Sequence, residues 1–202
     1  MNIRNPWEKA YQENKFKITT LSPSIIVNRH KNLLNKGDFV LDIGCGNGRN
    51  SAFLASWGCI VDSFDVADLG WVNKLSEKLK KNITFIKSDI LSFNFKPDFY
   101  KAFIVTRIIQ YIDRKELVYL FDKIHTSLKP DGFVLLNYNT EGGIFNRKEI
   151  NVPKYLHSVK EVEKILKTKF NKIVISLGSA KSQSVNYSDD IKAYDLFITG
   201  KK

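Results

Sequence analysis

Three acids and three glycines carry the chemistry legible in this chain. The stretch VLDIGCGNGRN, residues 40 to 50, places Asp42 in an apolar run and follows it with Gly44, Gly46 and Gly48 at alternate positions. Glycine has no Cβ, so its backbone accepts positive φ and lets a ligand approach closely. A glycine turn leading from a strand into a helix N-terminus is a common nucleotide cradle. Dinucleotide sites space these glycines G-x-G-x-x-G and seat pyrophosphate on the helix N-terminus. Here the spacing is G-x-G-x-G, and a carboxylate lies two residues ahead of the first glycine. That charge would repel a pyrophosphate and suits a ligand whose amino-acid end is cationic.

S-adenosylmethionine (SAM) has an ammonium and a sulfonium and no phosphate, so it meets this requirement. Its ribose needs a carboxylate at the tip of the next strand, roughly 20 residues on. IVDSFD ends there, at Asp65. Its adenine amino group needs an acceptor at the tip of the third strand. ITFIKSDI supplies Asp89, with Ile90 next to it for a backbone N–H and an apolar face. Three acids at successive strand tips would face one crevice.

The elements that must position them alternate. Apolar runs at 40–44, 60–64, 83–87, 102–106, 133–138, 172–177 and 193–199 read as seven strands. SPSIIVNRHKNLL reads as a helix with Ser22 as N-cap and Pro23 at its first position, stopped by Gly37. GRNSAFLASWG runs from the glycine loop to Gly58. DRKELVYLFDKIHTSL has Asp113 and Glu116 at N-cap and N3, and SVKEVEKILKTKF has Ser158 and Glu161 there, so both predict capping boxes. Gly132 reads as a turn. No helix pattern separates the last two runs. The expected fold is α/β: a Rossmann-like, doubly wound, seven-stranded sheet, mainly parallel, with an antiparallel C-terminal strand.

VLDIGCGNGRN, VDSFD, KSDI and LKPDGFVLLNY together resemble the successive motifs of class I SAM-dependent methyltransferases, clearly over about residues 34 to 140. LDIGCGNGRNSAFLASWGCIVDSFD is similar to the tellurite-resistance methyltransferase group, which acts on soft chalcogen anions and related small nucleophiles. The resemblance implies that Asp42, Gly44, Gly46 and Gly48 line the methionine end of SAM, with Cys45, Asn47 and Asn50 in the same loop. It implies that Asp65 holds the ribose, that Val66, Asp89 and Ile90 surround the adenine, and that Thr106 faces the methionine through its backbone. In that group the C-terminal segment carries His and Arg at the acceptor. LGSAKSQSVNYSDDIKAYD departs from this, with no His and no Arg.

A single domain over 1–202 is expected: an N-terminal helical lid segment (1–36), a SAM-binding core (37–140) and an acceptor-side part (141–202) with a loop, a helix and the final strand pair. Trp7 and Tyr11, four apart on one helical face, are candidate lid residues. His157, just before a capped helix, and Tyr138 and Asn139, at the end of the fifth strand, are candidates for the acceptor, as is Tyr11. Methyl transfer needs alignment and a deprotonated nucleophile; a hydroxyl would need a base, a thiolate or soft anion would not.

The formal charge of +11, from 32 Lys and Arg against 21 Asp and Glu, is spread along the chain and not clustered as a nucleic-acid patch. An Asn/Asp-Pro-Pro-aromatic motif, usual for base-amino methylation, is absent after the fourth strand, where TRIIQY stands. A small-molecule acceptor is therefore favoured over RNA, and both over a non-catalytic binding module. Cys45 and Cys59 form no metal-ligand or disulfide pattern, so no metal is expected. No apolar run suits a membrane span or a signal peptide. The expectation is a cytoplasmic protein, monomeric or homodimeric.

Overall fold

The computed structural model describes Pro6, Trp7, Lys9 and residues 22–139, 155–178 and 193–201. The strands are β1 (Phe39–Ile43), β2 (Ile60–Asp65), β3 (Ile83–Lys87), β4 (Tyr100–Thr106), β5 (Leu128–Asn139), β6 (Phe170–Gly178) and β7 (Ala193–Lys201). They form one sheet in the order β3-β2-β1-β4-β5-β7-β6. The first five are parallel, and β7 inserts between β5 and β6, antiparallel to both. This is the expected α/β architecture. From β1 the chain winds outward to β3, then returns to build β4 on the other side. The C-terminal ends of β1 and β4 therefore border a switch-point crevice, where open α/β sheets bind ligands.

Helices α1 (Ile25–His30), α2 (Arg49–Ser56), α3 (Glu77–Lys80), α4 (Arg114–Ser127) and α5 (Val159–Lys167) accompany the sheet. Side chains of a strand alternate between its faces. Leu41, Ile43, Phe103, Leu136 and Tyr138 pack on one face with Leu120 and Phe121 of α4 and Val162 of α5. Val40, Ile104 and Leu135 pack on the other with Ile26 and Val27 of α1 and Leu54 of α2. A sheet covered on both faces explains why its central strands read as unbroken apolar runs.

Three local expectations change. α1 starts at Ile25, with Ser24 and not Ser22 at the N-cap, because Asn50 Oδ1 accepts the Ser24 backbone N–H at 2.8 Å and holds the approach extended. Gly132 lies inside β5, not in a turn; a Cβ there would come within 2.9 Å of the Lys101 carbonyl oxygen, so the close strand approach needs glycine. Asp113 and Glu116 form the full capping box of α4. At α5 the Ser158 hydroxyl accepts the Glu161 N–H, but the Glu161 carboxylate turns to Arg114 at 3.3 Å and to the imidazole of His157 at 3.8 Å.

Candidate active site

The glycine loop is held in a conformation that side chains resist. Gly44, Gly46 and Gly48 have φ of 62°, 55° and 71°, all left-handed. The loop is stitched to the neighbouring strand: Cys45 N–H donates to the Phe64 carbonyl at 3.1 Å, and Gly46 N–H donates to Asp65 Oδ2 at 2.8 Å. Gly48 is the N-cap of α2. A Cβ on Gly48 would lie 2.2 Å from the Trp71 ring, and one on Gly44 would lie 2.0 Å from Ile108 Cδ1. Trp71, a residue the motif reading did not single out, thus lies against the glycine loop. We expect Gly48→Ala to lower stability by about 1–3 kcal/mol from backbone strain alone, measured by denaturant unfolding. Adding Trp71→Leu should restore only the steric part.

Asp42 sits buried beneath this loop. Its Oδ2 accepts the Ser51 hydroxyl at 2.6 Å, while Oδ1 has no hydrogen-bond partner. Burial pushes its pKa up to about 7; the Ser51 hydrogen bond and the Arg49 charge pull it down, and Asp65 pushes it further up. An unpaired carboxylate oxygen in a buried place is costly, and a cationic group beside it would offset that cost. The neighbouring Cys45 thiol is buried and its pKa is held well above the usual thiol range, chiefly by desolvation and then by the Asp42 and Asp65 charges. It is a neutral packing group and not a nucleophile.

Asp65 stands at the tip of β2. Its Oδ2 takes the Gly46 N–H, and its Oδ1 takes the Ala67 N–H at 3.0 Å. Burial raises its pKa against these backbone hydrogen bonds. A carboxylate has about four acceptor sites, so acceptor capacity remains for a hydroxyl. Asp89, two residues past β3, caps its own turn by accepting the Leu91 and Ser92 N–H groups at 2.9 Å each. Val66 is half-buried and Ile90 buried. Asn47 is half-buried in the loop. Asn50 is a tie: its Oδ1 holds Ser24, and its Nδ2 donates to Thr106 Oγ1 at 3.2 Å.

On the acceptor side the candidates separate. Trp7 reaches the crevice end of the sheet, its ring edge-on to Tyr111 with centroids 4.7 Å apart. Tyr11 lies outside the described residues. His157 is buried; its Nε2 lies 2.9 Å from the Ile112 carbonyl and its Nδ1 faces Glu161, which makes it a structural tie, not an open base. Tyr138 faces the α4–α5 core, opposite Asn139, because adjacent strand residues point to opposite faces. Asn139 remains at the rim, buried, with neither amide atom hydrogen-bonded. Two residues went unnoticed in the sequence. Gln110, in the 3-10 turn Ile109–Tyr111 after β4, is buried with both side-chain amide atoms unpartnered. Asp195 of β7 is buried and accepts the Asn137 amide. Neither belongs to a local motif; Asp195 was legible only as the polar residue inside AYDLFIT.

Known proteins resemble this chain in sequence and in fold. Residues 40–132 match the family described as Methyltransferase domain. A probable SAM-dependent methyltransferase TehB of Haemophilus influenzae is 28% identical over 99 residues, 48% of this chain and 34% of the relative. The ribosomal protein L11 methyltransferase of Campylobacter concisus is 29% identical over 130 residues, 63% of this chain and 42% of the relative. The chain thus spans less than half the length of these curated relatives. In fold it is similar to a 1,6-didemethyltoxoflavin-N1-methyltransferase of Burkholderia thailandensis, solved with 1,6-didemethyltoxoflavin and S-adenosylhomocysteine. That likeness has a TM-score of 0.78 at 14% identity, over 99% of this chain and 88% of the other. It is also similar to phosphoethanolamine N-methyltransferase 2 of Haemonchus contortus, with a TM-score of 0.72 at 18% identity, over 97% and 60%.

Proposed function

We propose that the protein transfers a methyl group from SAM to a small-molecule acceptor, a reading supported by the match of residues 40–132 to the methyltransferase domain and by the likeness to TehB. The observation that carries this reading is Asp42: a buried carboxylate with one unpaired oxygen, set beneath three left-handed glycines. SAM supplies a methyl on a positively charged sulfur, whose departure leaves a neutral thioether. The chain's part is to hold and align. Asp42 faces the ammonium end. Asp65 keeps the loop closed through Gly46 while accepting from the ribose hydroxyls. Asp89, Ile90 and Val66 frame the adenine. Trp7, packed on Tyr111, helps exclude water from the crevice, while α1 belongs to the core that supports the sheet.

A small acceptor is supported by the toxoflavin-type neighbour, which was solved with a small heterocycle, and by the likeness to TehB. Among the described residues no helix is long and apolar enough to cross a membrane. The test is calorimetric titration with SAM and, separately, with NAD. Micromolar SAM binding with no NAD binding is expected; folded protein that binds NAD and not SAM would overturn the reading. The +11 charge makes RNA the second acceptor to try, and RNA binding that falls steeply with salt would favour it.

A further inference from the structure

We propose that Asp195, Asn137 and Asn139 form the acceptor subsite, and that it takes an uncharged group bearing an N–H or O–H hydrogen and disfavours an anion. This rests on the methyltransferase reading above and adds the acceptor's charge and the group that receives its proton.

Strand register places the three residues. Asn137 is opposite Thr106 across β4–β5 and opposite Asp195 across β5–β7. Strands lie about 4.8 Å apart, so Thr106, Asn137 and Asp195 form a row across the sheet. The row lies on the face that also carries Ile104, Leu135 and Phe197. At one end Asn50 Nδ2 donates to the Thr106 hydroxyl at 3.2 Å; at the other Asn137 Nδ2 donates to Asp195 Oδ1 at 2.5 Å. Asn139 stands one pleat nearer the rim on the same face. The row begins beside β1, whose glycine loop meets the methionine end of SAM, and runs away from Asp65 and Asp89.

The polar groups of this row are under-used. Asn139 is 4% exposed, and among the described residues neither its oxygen nor its nitrogen has a partner. Buried amides in folded proteins are nearly always paired, so this one is matched by a ligand that both donates and accepts. Asp195 is 5% exposed, and among the described residues no Lys, Arg or His pairs with it. A second anion beside it would meet uncompensated repulsion in a water-poor place. A hydroxyl, amine or ring N–H would instead donate to it. In the reaction the acceptor's N or O forms the new bond to the methyl carbon as the carbon–sulfur bond breaks. The sulfur keeps that electron pair as a neutral thioether. The acceptor's proton passes to the Asp195 carboxylate and from there to water. The Asn137 hydrogen bond holds the carboxylate in place.

The test uses the full chain, methyl-labelled SAM and two acceptor sets: tyramine, 2-hydroxypyridine and xanthine against selenite, tellurite and hydrosulfide. The expected result is transfer to a member of the first set at least tenfold faster than to any of the second. Asp195→Asn should lower that rate on the order of a hundredfold or more while SAM titrates as in wild type. Asn139→Leu should lower it at least tenfold with an equal or higher thermal midpoint, because an unpaired buried amide has been removed. Selenite, tellurite or hydrosulfide methylated as fast as the best of the first set would overturn the proposal. So would an Asp195→Asn rate within twofold of wild type, or an Asn139→Leu midpoint many degrees lower, the mark of a structural amide. Wild-type protein that binds no SAM would sink the methyltransferase reading itself, and the titration makes that failure separable.

Discussion

Replacing Asp42 by asparagine will make the cofactor-free protein more stable at pH 8 and will remove most of its affinity for SAM. Both effects come from one buried carboxyl. Its pKa is about 7 in the folded protein against 3.8 for an ordinary aspartate, with desolvation the main cause. Below pH 3.8 it is protonated folded and unfolded, and folding bears no penalty. Between about pH 4 and pH 7 the folded state holds a proton that the unfolded state has released, so this group's contribution to stability falls as pH rises. Above pH 7 the full cost, on the order of 4 kcal/mol, is present. The asparagine variant keeps the shape without the charge, so its advantage over wild type should be near zero at pH 4 and largest at pH 8. Urea unfolding of both proteins across that range measures the difference; parallel curves would show that Asp42 is not the titrating group. The same carboxylate should make SAM binding by the wild type strengthen from pH 6 to pH 7 and level off above, since a cationic ligand selects the ionised form. Asp42→Asn should lack that slope and bind at least a hundredfold more weakly, as removing one partner of a buried charge pair costs roughly 2–5 kcal/mol.

Asp65→Ala should weaken SAM binding by a hundredfold or more while leaving the sheet intact. In the structure Asp65 accepts the Gly46 and Ala67 N–H groups, so truncation loosens the glycine loop and would also remove the proposed ribose contacts. Each hydrogen bond to a charged group is worth about 1.5–3 kcal/mol, and losing two accounts for that factor. Calorimetry gives the affinity, and circular dichroism shows that the fold survives. A dissociation constant within threefold of wild type would place the ribose elsewhere. Asp89→Ala should have the smaller effect of the two, because Asp89 is not fully buried and spends its hydrogen bonds on its own turn.

Much of the candidate cofactor site was legible locally. The G-x-G-x-G spacing, the acid two residues before it and the acids after the second and third apolar runs all lie close to strand ends. Their placement follows once strands and helices alternate. The α4 capping box was legible for the same reason: Asp113 and Glu116 are neighbours on one helical turn.

The acceptor half was decided by tertiary structure. Central strands buried on both faces read as continuous apolar runs. Their sequence therefore carries no alternation to say which residue faces which helix layer, and Tyr138 and Asn139 looked equivalent until the sheet put them on opposite faces. Asp195 became a candidate site residue only because β7 inserts antiparallel between β5 and β6 and meets Asn137, 58 positions away. His157 was a candidate only by its place before a capped helix, and the sheet put its ring against the Ile112 carbonyl, 45 positions away. Trp71 against Gly48 is a contact of the same kind. By itself the sequence determined the strand–helix alternation, the glycine loop and the acids beside it, because backbone geometry and local hydrogen bonding act over a few residues. Strand order and pairing across the sheet decided which polar side chains share the face of the proposed acceptor subsite, because those contacts join residues that no local pattern connects.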